Sequence, residues 1–265
     1  MARPVVAVLT DFGTRDHYAG TMKGVALDIC PDLTFVDLTH DIAPQDILGA
    51  AFELAVAFKY FPAGTVFLVV VDPGVGSSRR AIAAEAGSYR FVGPDNGVLC
   101  PALDATGEAP ALVELTEPRY ARPFVSKTFE GRDRFAPAAA WLARGVDLNE
   151  LGRPLTDWTR LQLPAPLAGP GCISGQVLRI DRFGNAITNL DRALYENFAR
   201  QGSTQVIAGS GGVVPLVTTY ADAAKGSVCA LFGSADYLEI AVSGGNASEQ
   251  LGLAQGSEIT LRRGE

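Results

Sequence analysis

The chain has 265 residues, 48% of them hydrophobic and 19% charged, which is apolar material enough for one large domain or two unequal ones. A formal net charge of −7, with Arg79-Arg80 and Arg262-Arg263 as the basic doublets, argues against a nucleic-acid surface. No run approaches the roughly 18 apolar residues of a membrane span, and residues 5–9 are too short for a signal peptide's apolar region, so a soluble, cytoplasmic protein is expected.

The elements follow in chain order. PVVAVLT is an unbroken apolar run ended by a turn, the pattern of a strand buried on both faces. After Asp11-Phe12-Gly13, helical spacing runs over residues 18–29 and stops at Pro31. Residues 33–38 read as a second strand. Residues 46–61 are a helix candidate between Pro44 and Pro62. Residues 65–71 form another buried strand, closed by Asp72-Pro73-Gly74; Phe91-Val92 and the turn Gly93-Pro94-Asp95-Asn96-Gly97 come next, and residues 133–144 look helical. Strands separated by helices imply an α/β domain with a doubly wound, mainly parallel sheet over residues 1–163. LPAPLAGPG marks a linker at 164–171. Beyond it, short alternating runs at 173–180, 203–208, 213–220, 227–232, 237–242 and 258–262, parted by glycine-rich turns, predict an antiparallel β-barrel-like domain over residues 172–265.

In a parallel sheet, ligands sit at the carboxyl ends of strands. TDFGTRD, VDPGVGSSRR and VGPDNGVL each place an acidic residue beside glycines, where backbone and ligand approach closely. Asp11 and Asp16 suit ribose hydroxyls or an ammonium group, or Asp11 simply caps the next helix or turn. VDPGVGSSRR is neither GxxxxGK[ST] nor GxGxxG, but it sets Asp72 seven residues before Arg79, a carboxylate and a guanidinium able to orient a water or an anion. In SKTFEGRDRFAP, Glu130 is a base or a solvated loop residue. In IDRFGNAITN, Asp181, Asn185 and Asn189 surround Phe183-Gly184; asparagine reads an adenine edge by donating and accepting, and is also an ordinary turn residue. Neither His17 nor His40 lies near a GxSxG elbow. Two histidines give a zinc site little to work with, and Cys30, Cys100, Cys172 and Cys229 form no CxxC pair. No metal or organic cofactor is indicated.

Seven stretches in order resemble one family, the S-adenosylmethionine hydroxide adenosyltransferases, relatives of the fluorinating and chlorinating adenosyl enzymes. They are TDFGTRDHYAGTMKGV, VDLTHDIAPQDILGAA, FPAGTVFLVVVDPGVGSSRR, FVGPDNGVL, TFEGRDRFAPAAA, IDRFGNAITN and YLEIAVSGGNASEQLG. The resemblance implies a homotrimer, with substrate between the N-terminal domain of one subunit and the C-terminal domain of its neighbour. It also implies hydrolysis of S-adenosylmethionine to adenosine and methionine. By motif, Asp11 matches the residue on the ribose diol, Asp16, Asp181 and Ser234 match positions around the methionine amino and carboxylate groups, and Phe129 packs beside the ribose. Asn185 matches an adenine contact, and Ser243-Gly244 the backbone at the adenine edge. Asp72 and Arg79 match two members of an Asp–Arg–His set; Asp72 stands where the halogenating members have a tyrosine, which favours hydrolysis.

The chain departs from the family pattern at the third member, where TFEGRD replaces TFHGRD. Gln45 and Ala235 also replace an aromatic residue and an arginine of the halogenating branch. The expected mechanism has Arg79 and Asp72 fixing one water and Asp72 taking its proton. Glu130 either stands in as a proton acceptor or competes for the arginine and slows the step. A binding protein impaired by Glu130, a halogenase and a methyltransferase are the alternatives, in that order.

Overall fold

The structure, a computed structural model, describes residues 3–209 and 212–264. The chain divides into two compact units, Met1–Gln162 and Leu163–Glu265.

The first unit is a seven-stranded sheet between helices. Its strands are β1 (Val5–Thr10), β2 (Thr34–Thr39), β3 (Val66–Val70), β4 (Ala81–Ala86), β5 (Tyr89–Pro94), β6 (Ala111–Leu115) and β7 (Gly152–Pro154), in the order β2-β1-β3-β5-β4-β6-β7. The helices are α1 (Tyr18–Ile29), α2 (Ile47–Ala57), α3 (Cys100–Ala105) and α4 (Ala136–Ala143). Alternation along the strands makes two cores. Val6, Val8, Leu68 and Val70 face Met22, Phe135 and Leu142, while Ala7, Leu9, Phe67 and Val69 face Ala51, Leu54 and Leu103.

The sheet is parallel through β2, β1, β3 and β5, then antiparallel through β4, β6 and β7. Strands separated by helices do not account for that second half. β4 is AIAAEA, poor in the branched and aromatic residues that mark strands, and it returns as β5 through a tight turn in which Gly87 holds φ +55°. Asp46 caps α2 by accepting from the Gly49 N–H at 2.9 Å. The helix expected over 133–144 begins instead with a π turn, Gly131–Phe135, that runs into α4. Pro137 has no N–H for the Asp133 carbonyl, which accepts from Arg122 N–H at 2.8 Å.

The second unit is an antiparallel, nearly closed barrel-like sheet. It comprises β8 (Leu167–Gly169), β9 (Cys172–Ile180), β10 (Ala186–Asp191), β11 (Thr204–Ala208), β12 (Val213–Val214), β13 (Val228–Phe232), β14 (Tyr237–Val242) and β15 (Glu258–Arg263), with helices α5 (Arg192–Ala199) and α6 (Ala247–Leu251). The order is β12-β11-β15-β9-β10-β14-β13, with β8 on β9 and a bridge from Leu216 to Ala230 nearly closing the ring. Ile173, Val177, Leu190, Val206, Ile240 and Ile259 fill it. β8 lies within the expected linker, and β12 ends far short of residue 220. Among the described residues, no helix is long and apolar enough to cross a membrane.

Candidate active site

Strand order reverses between β1 and β3, since the chain leaves β1 for one neighbour, β2, and returns to the other, β3. A crevice opens at the carboxyl ends of strands at such a point. A cavity of about 390 Å³ lies there, lined by Asp11 and Phe12 after β1, Val70 and Asp72 at the end of β3, Gln45 before α2, and Phe129 and Glu130 before the π turn. Three carboxylates, Asp11, Asp72 and Glu130, line it and outnumber the one guanidinium bonded to two of them, Arg79, while among the described residues no lysine or arginine lines it. That lining favours a cation and opposes a halide.

Asp72 and Arg79 meet because the loop between them is a tight turn. Val75 N–H donates to the Asp72 carbonyl at 3.2 Å, and Ser77 donates to the Gly74 carbonyl from both N–H and hydroxyl. Gly76 holds φ +79°, and a Cβ there would sit 2.5 Å from the Lys127 carbonyl oxygen. Only glycine allows this loop to lie so close to the segment that delivers Glu130. Arg79 Nε donates to Asp72 Oδ1 at 2.8 Å, Nη2 donates to Asp72 Oδ2, and Nη1 donates to Glu130 Oε2 at 3.0 Å. All three side chains are nearly buried: Arg79 10%, Asp72 6% and Glu130 14% exposed. The guanidinium also lies 5.2 Å from the Phe135 ring centroid. Burial works against the Arg79 charge, yet Asp72 and Glu130 outweigh it and hold its pKa above the usual arginine value.

Part of the lining is aromatic. Phe129 meets Tyr18 edge to face at 5.1 Å and Phe12 at 6.1 Å. Asp11 Oδ2 accepts from Gln45 N–H at 2.8 Å. Gln45 holds φ +68°, a region that costs a non-glycine residue strain. Asp16 is exposed on the loop before α1 and does not line the cavity.

In the second unit, Asp181 and Asn185 come together. Asp181 Oδ1 accepts from the N–H groups of Phe183 and Asn185, and Oδ2 accepts from Asn185 Nδ2 at 2.9 Å. Asn185 is buried, at 6% exposed. Ser234 lies in the turn joining β13 to β14, whereas Ser243 and Gly244 come after the far end of β14, so these residues are not one cluster. Sequence reasoning missed Arg134, whose only signal was its i,i+4 spacing from Glu130, and the pair Tyr220–Glu239. Tyr220 Oη donates to Glu239 Oε2 at 2.7 Å, and Glu239 is 8% exposed. A Cβ on Gly233 would lie 1.7 Å from Glu239 Oε1.

Residues 6–152 match the family model described as the SAM hydroxide adenosyltransferase N-terminal domain, and residues 175–260 that of the C-terminal domain. The chain is 42% identical to the (R)-S-adenosyl-L-methionine hydrolase of Thermus thermophilus, over 98% of this chain and 99% of that one. It is 30% identical to a fluorinase of Actinoplanes, over 98% of each. A crystal structure of an uncharacterized conserved protein from Thermotoga maritima superposes with a TM-score of 0.91 at 35% identity, covering 97% of this chain and all of that one. With both family models matched, one to each of its two units, the chain belongs to the SAM hydroxide adenosyltransferase family.

Proposed function

We propose that the chain hydrolyses S-adenosylmethionine at ribose C5′, releasing adenosine and L-methionine. The observation that carries this reading is the cavity lined by three carboxylates, with buried Arg79 forked onto Asp72 and bonded to Glu130. The sulfonium is the cation such a lining favours, and methionine leaves it as a neutral thioether, so little acid catalysis is required. The site must supply an oriented water in a dry pocket.

The residue roles are proposals resting on this geometry. Asp72 fixes Arg79, since both of its oxygens are engaged in the fork. Arg79 orients the water and stabilises its developing hydroxide character. Glu130 Oε1 takes no hydrogen bond among the described residues, which favours Glu130 over Asp72 as proton acceptor. The water oxygen bonds to C5′, the C5′–S pair leaves with sulfur, and the water proton passes to Glu130 and on to solvent. Asp11, with one oxygen held by Gln45 N–H, presents the other to the ribose diol, beside Phe129. Asp16, Asp181 and Ser234 serve the methionine end, and Asn185, Ser243 and Gly244 the adenine. The proposed assembly is a cytoplasmic homotrimer in which residues of the second unit complete the site of a neighbouring copy.

The test is chromatography of products from S-adenosylmethionine, with and without chloride, for the parent and for Glu130→His. Adenosine and methionine in equal amounts, independent of halide, are expected from the parent. Chloride-dependent 5′-chloroadenosine would mean a halogenase; product from Glu130→His alone would mean a binding protein that lost its third catalytic position. Mixing Asp72→Asn with Asp181→Ala checks the assembly, because shared sites restore activity to two inactive variants.

A further inference from the structure

Glu130 stands between two guanidinium groups. Its Oε2 accepts from Arg79 Nη1 at 3.0 Å and lies 3.8 Å from Arg134 Nε, reached across the π turn. Arg134 is anchored at its other end, where Nη1 donates to the Leu115 carbonyl at 3.3 Å. Its Nε is buried and has no hydrogen-bond partner among the described residues. Buried donors are rarely left unpaired, and one that is calls for an explanation. The gap to Glu130 is too long for a hydrogen bond but small enough for a modest carboxylate shift to close.

Arg79 commits three of its N–H groups, Nε and Nη2 to Asp72 and one on Nη1 to Glu130. If a water is to take the Nη1 N–H now bonded to Glu130, the displaced carboxylate needs a second cation, because a buried carboxylate without a partner is strongly disfavoured. The geometry points to Arg134 as a positioning residue for hydrolysis: it is the second docking point of Glu130 and receives Oε2 at Nε when the nucleophilic water takes over the Arg79 Nη1 N–H. Oε1 then stays aimed at the water whose proton it takes. The kinetic part of this inference rests on the hydrolase reading above; the docking itself does not.

The experiment measures kcat and KM for Arg134→Gln in two backgrounds, the parent and Glu130→His. In the parent, kcat falls about tenfold with KM held within twofold. In Glu130→His there is no carboxylate to dock, and the same change costs less than twofold. Arg134→Lys, which restores the charge without the Nε donor, recovers part of the loss. Equal fractional losses in both backgrounds, or none in the parent, overturn the proposal, since a residue that merely ties the helix to Leu115 matters equally in both. If neither background releases adenosine, the hydrolase reading fails on its own, and docking is read from urea midpoints of the parent, Arg134→Gln, Glu130→Ala and the double variant. A double variant no less stable than the worse single is expected; additive losses overturn the docking. Should Arg134→Gln fail to fold, Arg134→Lys takes its place in both cycles.

Discussion

Arg79 holds together two carboxylates that would otherwise repel. Asp72 and Glu130 are both nearly buried, and Arg79 is the cation that bonds directly to each. Removing one member of a buried ionic cluster leaves the rest uncompensated, at a cost of about 3–5 kcal/mol, more than the intact pair is worth relative to an apolar substitute. Arg79→Met is therefore expected to lower unfolding stability by roughly 3 kcal/mol and turnover by more than a hundredfold. Denaturant melts and initial rates on one preparation check both. Full activity would remove Arg79 from the chemistry, and unchanged stability would mean that the carboxylates find water instead. The Asp72–Arg79 pairing was legible in the sequence because Pro73, Gly74 and Gly76 between them compel a return of the chain. Arg134 was not, because a charge four residues from another is usually a solvated pair, and the burial of its Nε depends on packing that no local pattern reveals.

The loop that delivers Glu130 is held by one buried acid. Asp133 is 0% exposed; its Oδ1 accepts from Arg132 Nε at 2.6 Å, its Oδ2 from Ser126 N–H at 2.8 Å, and Arg122 lies 3.4 Å away. Burial pushes this carboxyl up, but Arg132, the Ser126 N–H and Arg122 together outweigh it and hold it below the ordinary aspartate value. A folded-state pKa below the unfolded value contributes stability that is present above about pH 4 and lost as pH falls through the folded value. Asp133→Asn is expected to cost roughly 2 kcal/mol at neutral pH, a gap that closes below about pH 4. A gap constant from pH 3 to 8 would show that Asp133 acts by shape alone. At this scale the sequence was readable where pattern and packing agree, as in β1, β3 and α2. It was silent on β4, whose alanines carry no strand signal, and on β10 and α5. There Asn185 leads straight into a strand and Asp191 caps the next helix, accepting from Leu194 N–H at 2.7 Å.

Across the whole chain, the two units place their buried carboxyls in opposite electrostatic settings. The first unit surrounds Asp72 and Asp133 with arginines. The second buries Glu239 against a neutral hydroxyl, that of Tyr220, with Asp181 near enough to add repulsion. The class of each unit could be read from periodicity, but this contrast could not, because Glu239 sits in YLEIAV as an ordinary polar position of a half-buried strand. Burial raises the Glu239 pKa, as does Asp181, while the Tyr220 hydrogen bond and Arg179 only partly offset them. A raised folded-state value means that its contribution is complete below about pH 4 and is lost as pH rises through the folded value. Glu239→Gln keeps an acceptor for Tyr220 and removes the charge. Relative to the parent it should therefore gain stability as pH rises above about 4 and level off once pH passes the folded value, the reverse of the trend at Asp133. Urea midpoints of parent and variant at matched pH values measure this directly. A variant that loses ground on the way to pH 8 would mean that the ionised carboxylate is stabilised in the fold, and Arg179 would then be the partner that outweighs burial.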